Sequence, residues 1–251
     1  MRRRSVAALV AAVVVVTAGF LFSLVMLFTD SQNEEALITL PGQGSAVIET
    51  NPQLEQSNLA QIQAVHIDRT NIQAVLQSLS RPEYCSLESE TVYYYREASA
   101  TLISRMWQKD GCLRIAQQET DGTDRQLLLT ESWVYLWSGE ETPARFSRQE
   151  GDEALYRRAP SYAELLALPA EAILEGGTVQ REEGLCLYAR SLDSLTGETE
   201  DWYVLAENGL LLEAQGTLDD RLTYRYRLTM LYQEQPEDTV FLLPDGTRPM
   251  P

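Results

Sequence analysis

Histidine, lysine and cysteine are almost missing from this chain. His66 is the one histidine, Lys109 the one lysine, and Cys85, Cys112 and Cys186 the only cysteines among 251 residues. A lone histidine gives a hydrolytic triad or a zinc site no identifiable partners, and His66 reads as a surface or helix-flanking residue. Three thiols cannot pair completely, and their spacing fits no metal knuckle, so at least one is free or bonds another chain. A structural disulfide stays open, with Cys112 and Cys186 no better supported than other pairs. A phosphate-cradling glycine-rich loop and a GxSxG elbow are also absent. The expectation is a chain that is not an enzyme and holds no cofactor or metal.

Positive charge is scarce too. Lys and Arg total 20 against 37 Asp and Glu, a net charge of −17. Arg2, Arg3 and Arg4 precede every acidic residue, so the part after Thr29 carries 20 − 3 − 37 = −20. Such a surface repels nucleic acid and anionic headgroups and favours solubility. No nucleic-acid partner is expected.

What is present begins with "MRRRSVAALVAAVVVVTAGFLFSLVMLFTD". Val6 to Phe28 is an uncharged apolar run that, as a helix at ~1.5 Å per residue, extends roughly 34 Å and crosses a ~30 Å hydrocarbon layer with some tilt. A cleaved signal peptide usually has a shorter apolar region of about 7–15 residues. No cysteine follows the run to take a lipid, so 6–28 reads as an uncleaved transmembrane signal-anchor and the chain's membrane partner. By the positive-inside rule, residues 1–5 form a cytoplasmic basic tip, and everything after Asp30 lies outside the cell membrane.

Residues 29–65 are rich in Gln, Asn, Ser and Glu and lack a sustained period, so they read as a flexible tether, with "ALITL" and "SAVI" as candidate short strands or docking segments. In "IDRTNIQAVLQSLSRP" the residues Ile72, Val75, Leu76 and Leu79 make a one-sided helical stripe, capped by Asp68 or Thr70 and stopped by Pro82. "SYAELLALPAEAIL" predicts a second helix, broken at Pro169, with Ser161 as cap and Glu164 at the capping-box position. Ten or eleven short strands flank that helix, separated by turn signals such as Asn208-Gly209, and short turns mean antiparallel pairing. Residues 66–251 therefore read as one extracytoplasmic β-rich domain. The expected fold class is α+β, predominantly antiparallel, with a strongly curved sheet covered by a few helices. A two-layer sandwich is second.

"WYVLAENGLLLEAQG" and "EDTVFLLPDG", with the order helix, strands, helical insertion, strands, resemble the LolA-like group across residues 66 to 246. That group contains outer-membrane lipoprotein carriers, lipid-binding lipoproteins and regulators that sense mislocalised lipoproteins. The resemblance implies a half-open barrel capped by helices around an apolar cavity for acyl chains. An anchored chain departs from a shuttling carrier, and no functional residue of the group maps onto this sequence.

"TYRYRLTMLYQ", residues 223 to 233, alternates so that Tyr224, Tyr226, Leu228, Met230 and Tyr232 share one side, with Leu231 as the exception. Such a row is either core or, with Trp202 or Tyr94, the lining of a ligand cavity; tyrosine suits both, being apolar in body and polar at its tip. The acidic pairs Glu34-Glu35, Glu140-Glu141, Glu182-Glu183 and Asp219-Asp220 are candidates for acid–base work or calcium, but their placement in turns suits a solvated rim. "DGTDRQ" lacks the ligands of a calcium loop. The leading expectation is an anchored module binding a lipid-like ligand, a lipoprotein or another envelope protein. The alternatives are a scaffold domain with a filled core and a carboxylate-dependent envelope hydrolase.

Overall fold

The computed structural model describes residues 46–149 and 156–250. These fall in one compact unit, Ser45–Pro251. The expected anchor at 6–28, and with it the membrane placement, lies outside the described residues. Among the described residues no helix is long and apolar enough to cross a membrane.

Ten or eleven strands are expected from the alternating segments, and eleven are present among the described residues. In chain order they are β2 (Cys85–Tyr94), β3 (Ser99–Lys109), β4 (Cys112–Glu119), β5 (Asp124–Leu129), β6 (Trp133–Trp137) and β7 (Ala144–Ser147), then β8 (Ile173–Arg181), β9 (Gly184–Leu192), β10 (Thr199–Leu205), β11 (Leu211–Leu218) and β12 (Arg221–Tyr232). A two-residue strand, β1 (Val47–Ile48), precedes them. They form one open sheet in the order β7-β6-β5-β4-β3-β2-β12-β11-β10-β9-β8, with β1 added in parallel to β12. Sequential neighbours pair because short turns leave no room for a crossover. The exception is the β12–β2 seam, where the second run of strands closes onto the first.

The sheet is strongly bent. Leu113 of β4 and Leu211 of β11 border the same cavity of about 160 Å³. Four strand spacings separate them along the sheet, which at ~4.8 Å each would be about 19 Å if it were flat. Bending brings their side chains together. β7 and β8 do not pair, so the barrel stays open.

Three helices cover the inner face. α2 (Ile72–Ser78) inserts Ile72 and Leu76, and α3 (Tyr162–Ala167) inserts Tyr162 and Leu165, into a cluster with Leu187, Trp202, Val204 and Tyr226. A seven-residue helix is unstable alone, so packing holds it. Burying Ile72 and Leu76 contributes roughly 1.5–3 kcal/mol each. The capping box anticipated at Ser161 and Glu164 is formed in both directions. The first helix, α1 (Pro52–Gln63), corrects the tether's boundary. Asn51 caps it and Pro52 occupies its first turn. Its weak apolar stripe hides a polar anchor: buried Asn58 donates to Ser80 O at 2.9 Å and Glu207 O at 3.1 Å, and accepts from Ser80 N at 2.9 Å. A fully satisfied buried amide resists removal, because each orphaned group costs about 1–3 kcal/mol. The ordered domain therefore starts before residue 66.

On the outer face, the chain after β12 folds back so that Phe241 packs with Leu128, Tyr135 and Trp137. Lys109, the single lysine, fastens this return through Asp238 at 2.5 Å. Cys85, Cys112 and Cys186 are all free, so no disulfide forms. Burial pushes the Cys85 thiol up to about 11 and Cys186 up to about 12, which leaves both inert.

Candidate functional site

The tyrosine row does not stay on one side. In β12, Leu228 pairs with Ser89 and Met230 with Glu88, so Thr229 is an extra residue in the ladder. One inserted residue moves every later side chain to the opposite face. Tyr226 is 1% exposed, whereas Met230 is 36% and Tyr232 41% exposed, and Leu231 takes their inward place. Leu231, the irregular position in the alternation, marks the bulge. Met230 and Tyr232 are therefore not cavity residues. Nor is Tyr94: pleat parity puts Tyr93 on the inner face, with its ring 6.4 Å from Tyr224.

Two cross-strand rows build the inner face. In one, Thr91, Tyr226, Ala214, Trp202 and Ala189 are successive register partners; in the other, Tyr93, Tyr224, Gly216, Glu200 and Ser191 are. Large and small residues alternate, so the rings have space to lie across the neighbouring strand. At Gly216 the fit is absolute, since a Cβ there would come within 2.5 Å of Thr223 Oγ1 and 2.6 Å of Tyr224 Cε1. With no side chain in the way, Tyr224 reaches over to donate its hydroxyl to Glu200 Oε1 at 2.8 Å.

Glu200 closes a chain of hydrogen bonds. Trp202 Nε1 donates to Ser191 Oγ at 3.1 Å, and Ser191 Oγ donates to Glu200 Oε2 at 3.3 Å. Burial raises the Glu200 carboxyl above its ordinary value, partly offset by the Tyr224 hydrogen bond, and nearby Glu198 pushes it further. Glu198 itself accepts from Thr223 Oγ1. Tyr224 is likewise held protonated by its burial and by Glu200. This is the nearest approach to a carboxylate pair with general-acid character, yet both Glu200 oxygens are engaged by the protein. Glu140-Glu141, Glu182-Glu183 and Asp219-Asp220 occupy turns, and Glu183 pairs with Arg227 at 3.1 Å. Glu34-Glu35 lies outside the described residues. Among the described residues no cluster of His, Cys, Asp and Glu has the arrangement to hold a metal ion. His66 is exposed just after α1, its carbonyl accepting from Asn71.

The inner cavity of about 160 Å³ is bordered by Leu87, Met106, Leu113, Tyr226 and the polar groups of Gln108 and Arg157. Space of that size accommodates a benzene-sized molecule, while ligand sites generally occupy about 300–1,000 Å³. Of the six residues expected to line a cavity, Tyr226 alone borders this one. Trp202 is a core residue of the first cluster, and half-buried Tyr224 packs against it.

The outer face of β8–β12 is polar and paired. Asp201 takes a bidentate pair from Arg190 at 2.7 and 3.0 Å and a hydroxyl from Tyr188 at 2.7 Å. Glu213 lies between Arg181 at 3.0 Å and Arg225 at 3.2 Å, and Arg181 stacks 4.0 Å above the Tyr203 ring. Arg225 and Arg227, which alternate with the tyrosines of β12, are thus neutralised by Glu213 and Glu183.

No family model matches the chain, and no curated protein matches it. Solved structures overlay on part of it. An uncharacterized conserved protein from Thermus thermophilus does so with a TM-score of 0.42 and 10% identity, over 73% of this chain and 90% of its own. MucB, crystallised in complex with MucA(peri), scores 0.38 at 12% identity, over 73% of this chain and 57% of its own. A DUF1329 family protein from Desulfovibrio piger scores 0.36 at 11% identity, over 74% of this chain and 99% of its own. At such identities these are likenesses of chain path, and the functional reading rests on the geometry of this chain.

Proposed function

We propose that this chain is a membrane-anchored extracytoplasmic binding module whose partner is another envelope protein, engaged by its surface, and that it carries no lipid inside. The observation behind this is the packing of the inward aromatic side chains. Trp202, Tyr224 and Tyr226 pack together, Tyr224 bonds Glu200, and the spaces bordered by Tyr226 and by Tyr93, about 160 and 240 Å³, are below the usual volume of a ligand site. A lipid carrier needs its aromatic row to line a void; here Tyr226 is core and Tyr224 packs against it.

Recognition then falls to what the open sheet exposes. Among the described residues no strand pairs with the outer edge of β8, a strand of nine residues whose alternate backbone groups face outward. An extended segment of a partner adds to such an edge as a further strand. The domain's excess of carboxylates selects neutral or basic partners and makes association with basic ones slower at high salt. No catalytic step enters this reading, because both oxygens of the Glu200 carboxyl are already bonded.

Native mass spectrometry of the full chain, gently released from its membrane, tests the reading together with a photo-crosslinking residue at Thr178. The expected result is a mass free of lipid and a discrete protein adduct from position 178. A stoichiometric bound lipid that resists delipidation would overturn it in favour of the carrier. Absence of any adduct from β8 would remove the edge as the binding surface.

A further inference from the structure

Two adjacent glycines, Gly176 and Gly177, lie in the middle of the β8 edge strand, and the fold accounts for the first alone. A Cβ at Gly176 would come within 2.8 Å of the Asp68 carbonyl oxygen, where the loop before α2 crosses β8. A Cβ at Gly177 would meet nothing within 4 Å. Its backbone is not left-handed, so the conformation does not require glycine either. The β8–β9 ladder is regular from Glu175 to Arg181, its one irregular step lying earlier, between Ile173 and Glu175. A glycine inside a strand weakens it and commonly marks a bulge, a bend or the close approach of another group. At Gly177 the domain itself supplies no such group.

The open space over Gly177 has a defined lining. Its register partner is Tyr188 of β9, and the next residue in that row is Tyr203 of β10. The two rings lie 5.2 Å apart. Tyr188 donates its hydroxyl to Asp201 of β10 at 2.7 Å, a pull away from β8 that leaves Gly177 uncovered. Two residues along β8 in one direction, Glu175 pairs with Arg190 at 3.6 Å; two residues in the other lies half-buried Val179. The Arg190 side chain remains 40% exposed. A backbone floor, a tyrosine wall, a guanidinium and a valine together suit an aromatic ring.

The sheet uses the same device within itself. On the inner face Tyr224 of β12 lies across Gly216 of β11 to reach Glu200 of β10. There a glycine on one strand makes room for the aromatic side chain of its neighbour. β8 offers such a glycine on the side where, among the described residues, no strand pairs with it.

We propose that the partner strand added to β8 carries an aromatic side chain opposite Gly177, lying across the glycine against Tyr188. The proposal rests on the edge-pairing reading and adds the side chain that the edge selects. β8 of a second copy does not supply it, because Ile173–Arg181 contains no aromatic residue. The occupant is a different extended segment, with its ring on the outer face of the sheet.

The full chain carrying the photo-crosslinking residue at Thr178 tests this, since position 178 adjoins Gly177 and points to the opposite face. Fragment sequencing of the adduct should find an aromatic residue within two positions of the crosslink. Gly177→Val should lower the adduct yield about tenfold or more, because its side chain fills the space the ring would take. Valine suits a strand and here enters open space, so the unfolding midpoint should match or exceed the parent's. A lost adduct is then lost recognition and not a lost fold; should the variant unfold, the sequence of the parent's adduct decides by itself. No adduct from the parent removes the edge reading. Equal yields from parent and Gly177→Val, or a segment without an aromatic residue in that window, overturn the aromatic proposal alone.

Discussion

The two ends of β12 share one alternating pattern and have opposite fates. Tyr226 is core beneath α2 and α3, half-buried Tyr224 packs against it and bonds Glu200, and Leu228 is buried in the neighbouring cluster; Met230 and Tyr232 are surface. Composition does not distinguish them, since tyrosine occurs in both. The difference is one residue of register at Thr229, which lets β12 pair with β2 along its length while turning those last residues outward. Hydrophobic pattern states which residues are alike, and the ladder decides which of them are inside.

Deleting Thr229 should break this comparison most severely. It would turn Leu231 outward and force Met230 and Tyr232 toward the interior. Losing buried leucine contacts alone costs about 2–5 kcal/mol, so a shift of that size or outright failure to fold is expected in urea unfolding. A deletion variant as stable as the parent would show that the strand slips freely.

Tyr226→Ala and Tyr232→Ala sharpen the contrast without moving the register. The first removes a fully buried ring beside the inner cavity, with an expected loss of about 3–5 kcal/mol. The second removes an exposed ring and should stay within about 0.5 kcal/mol. Equal losses in chemical denaturation would mean that the two halves are not core and surface.

The smallest effect belongs to Glu200. Its carboxyl titrates higher in the folded domain than in the unfolded chain, whose ordinary value is 4.5. The folded state therefore keeps the proton longer, and stability declines as pH rises from the ordinary value through the folded one. Glu200→Gln cannot lose a proton, so it should be more stable than the parent at neutral pH and gain nothing well below pH 4.5. Unfolding midpoints compared across that window check the sign. A variant no more stable than the parent at neutral pH would mean that burial does not hold the Glu200 carboxyl above its ordinary value.

Local chemistry by itself determined a good deal here. Period-two alternation between strong turn formers predicted ten or eleven strands, and the Ser161–Glu164 spacing a capping box. Those features act over a few residues and can be read along the chain. Leu231 even recorded the bulge, as a break in the alternation. Only the tertiary structure decided which face each stretch presents, that Tyr93 and not Tyr94 meets Tyr224, that Asn58 turns an apparent tether into a pinned helix, and that the cavity is small. Each depends on partners far along the chain, such as Ser80 and Glu207 for Asn58. No local pattern encodes the volume that remains after a sheet has bent upon itself.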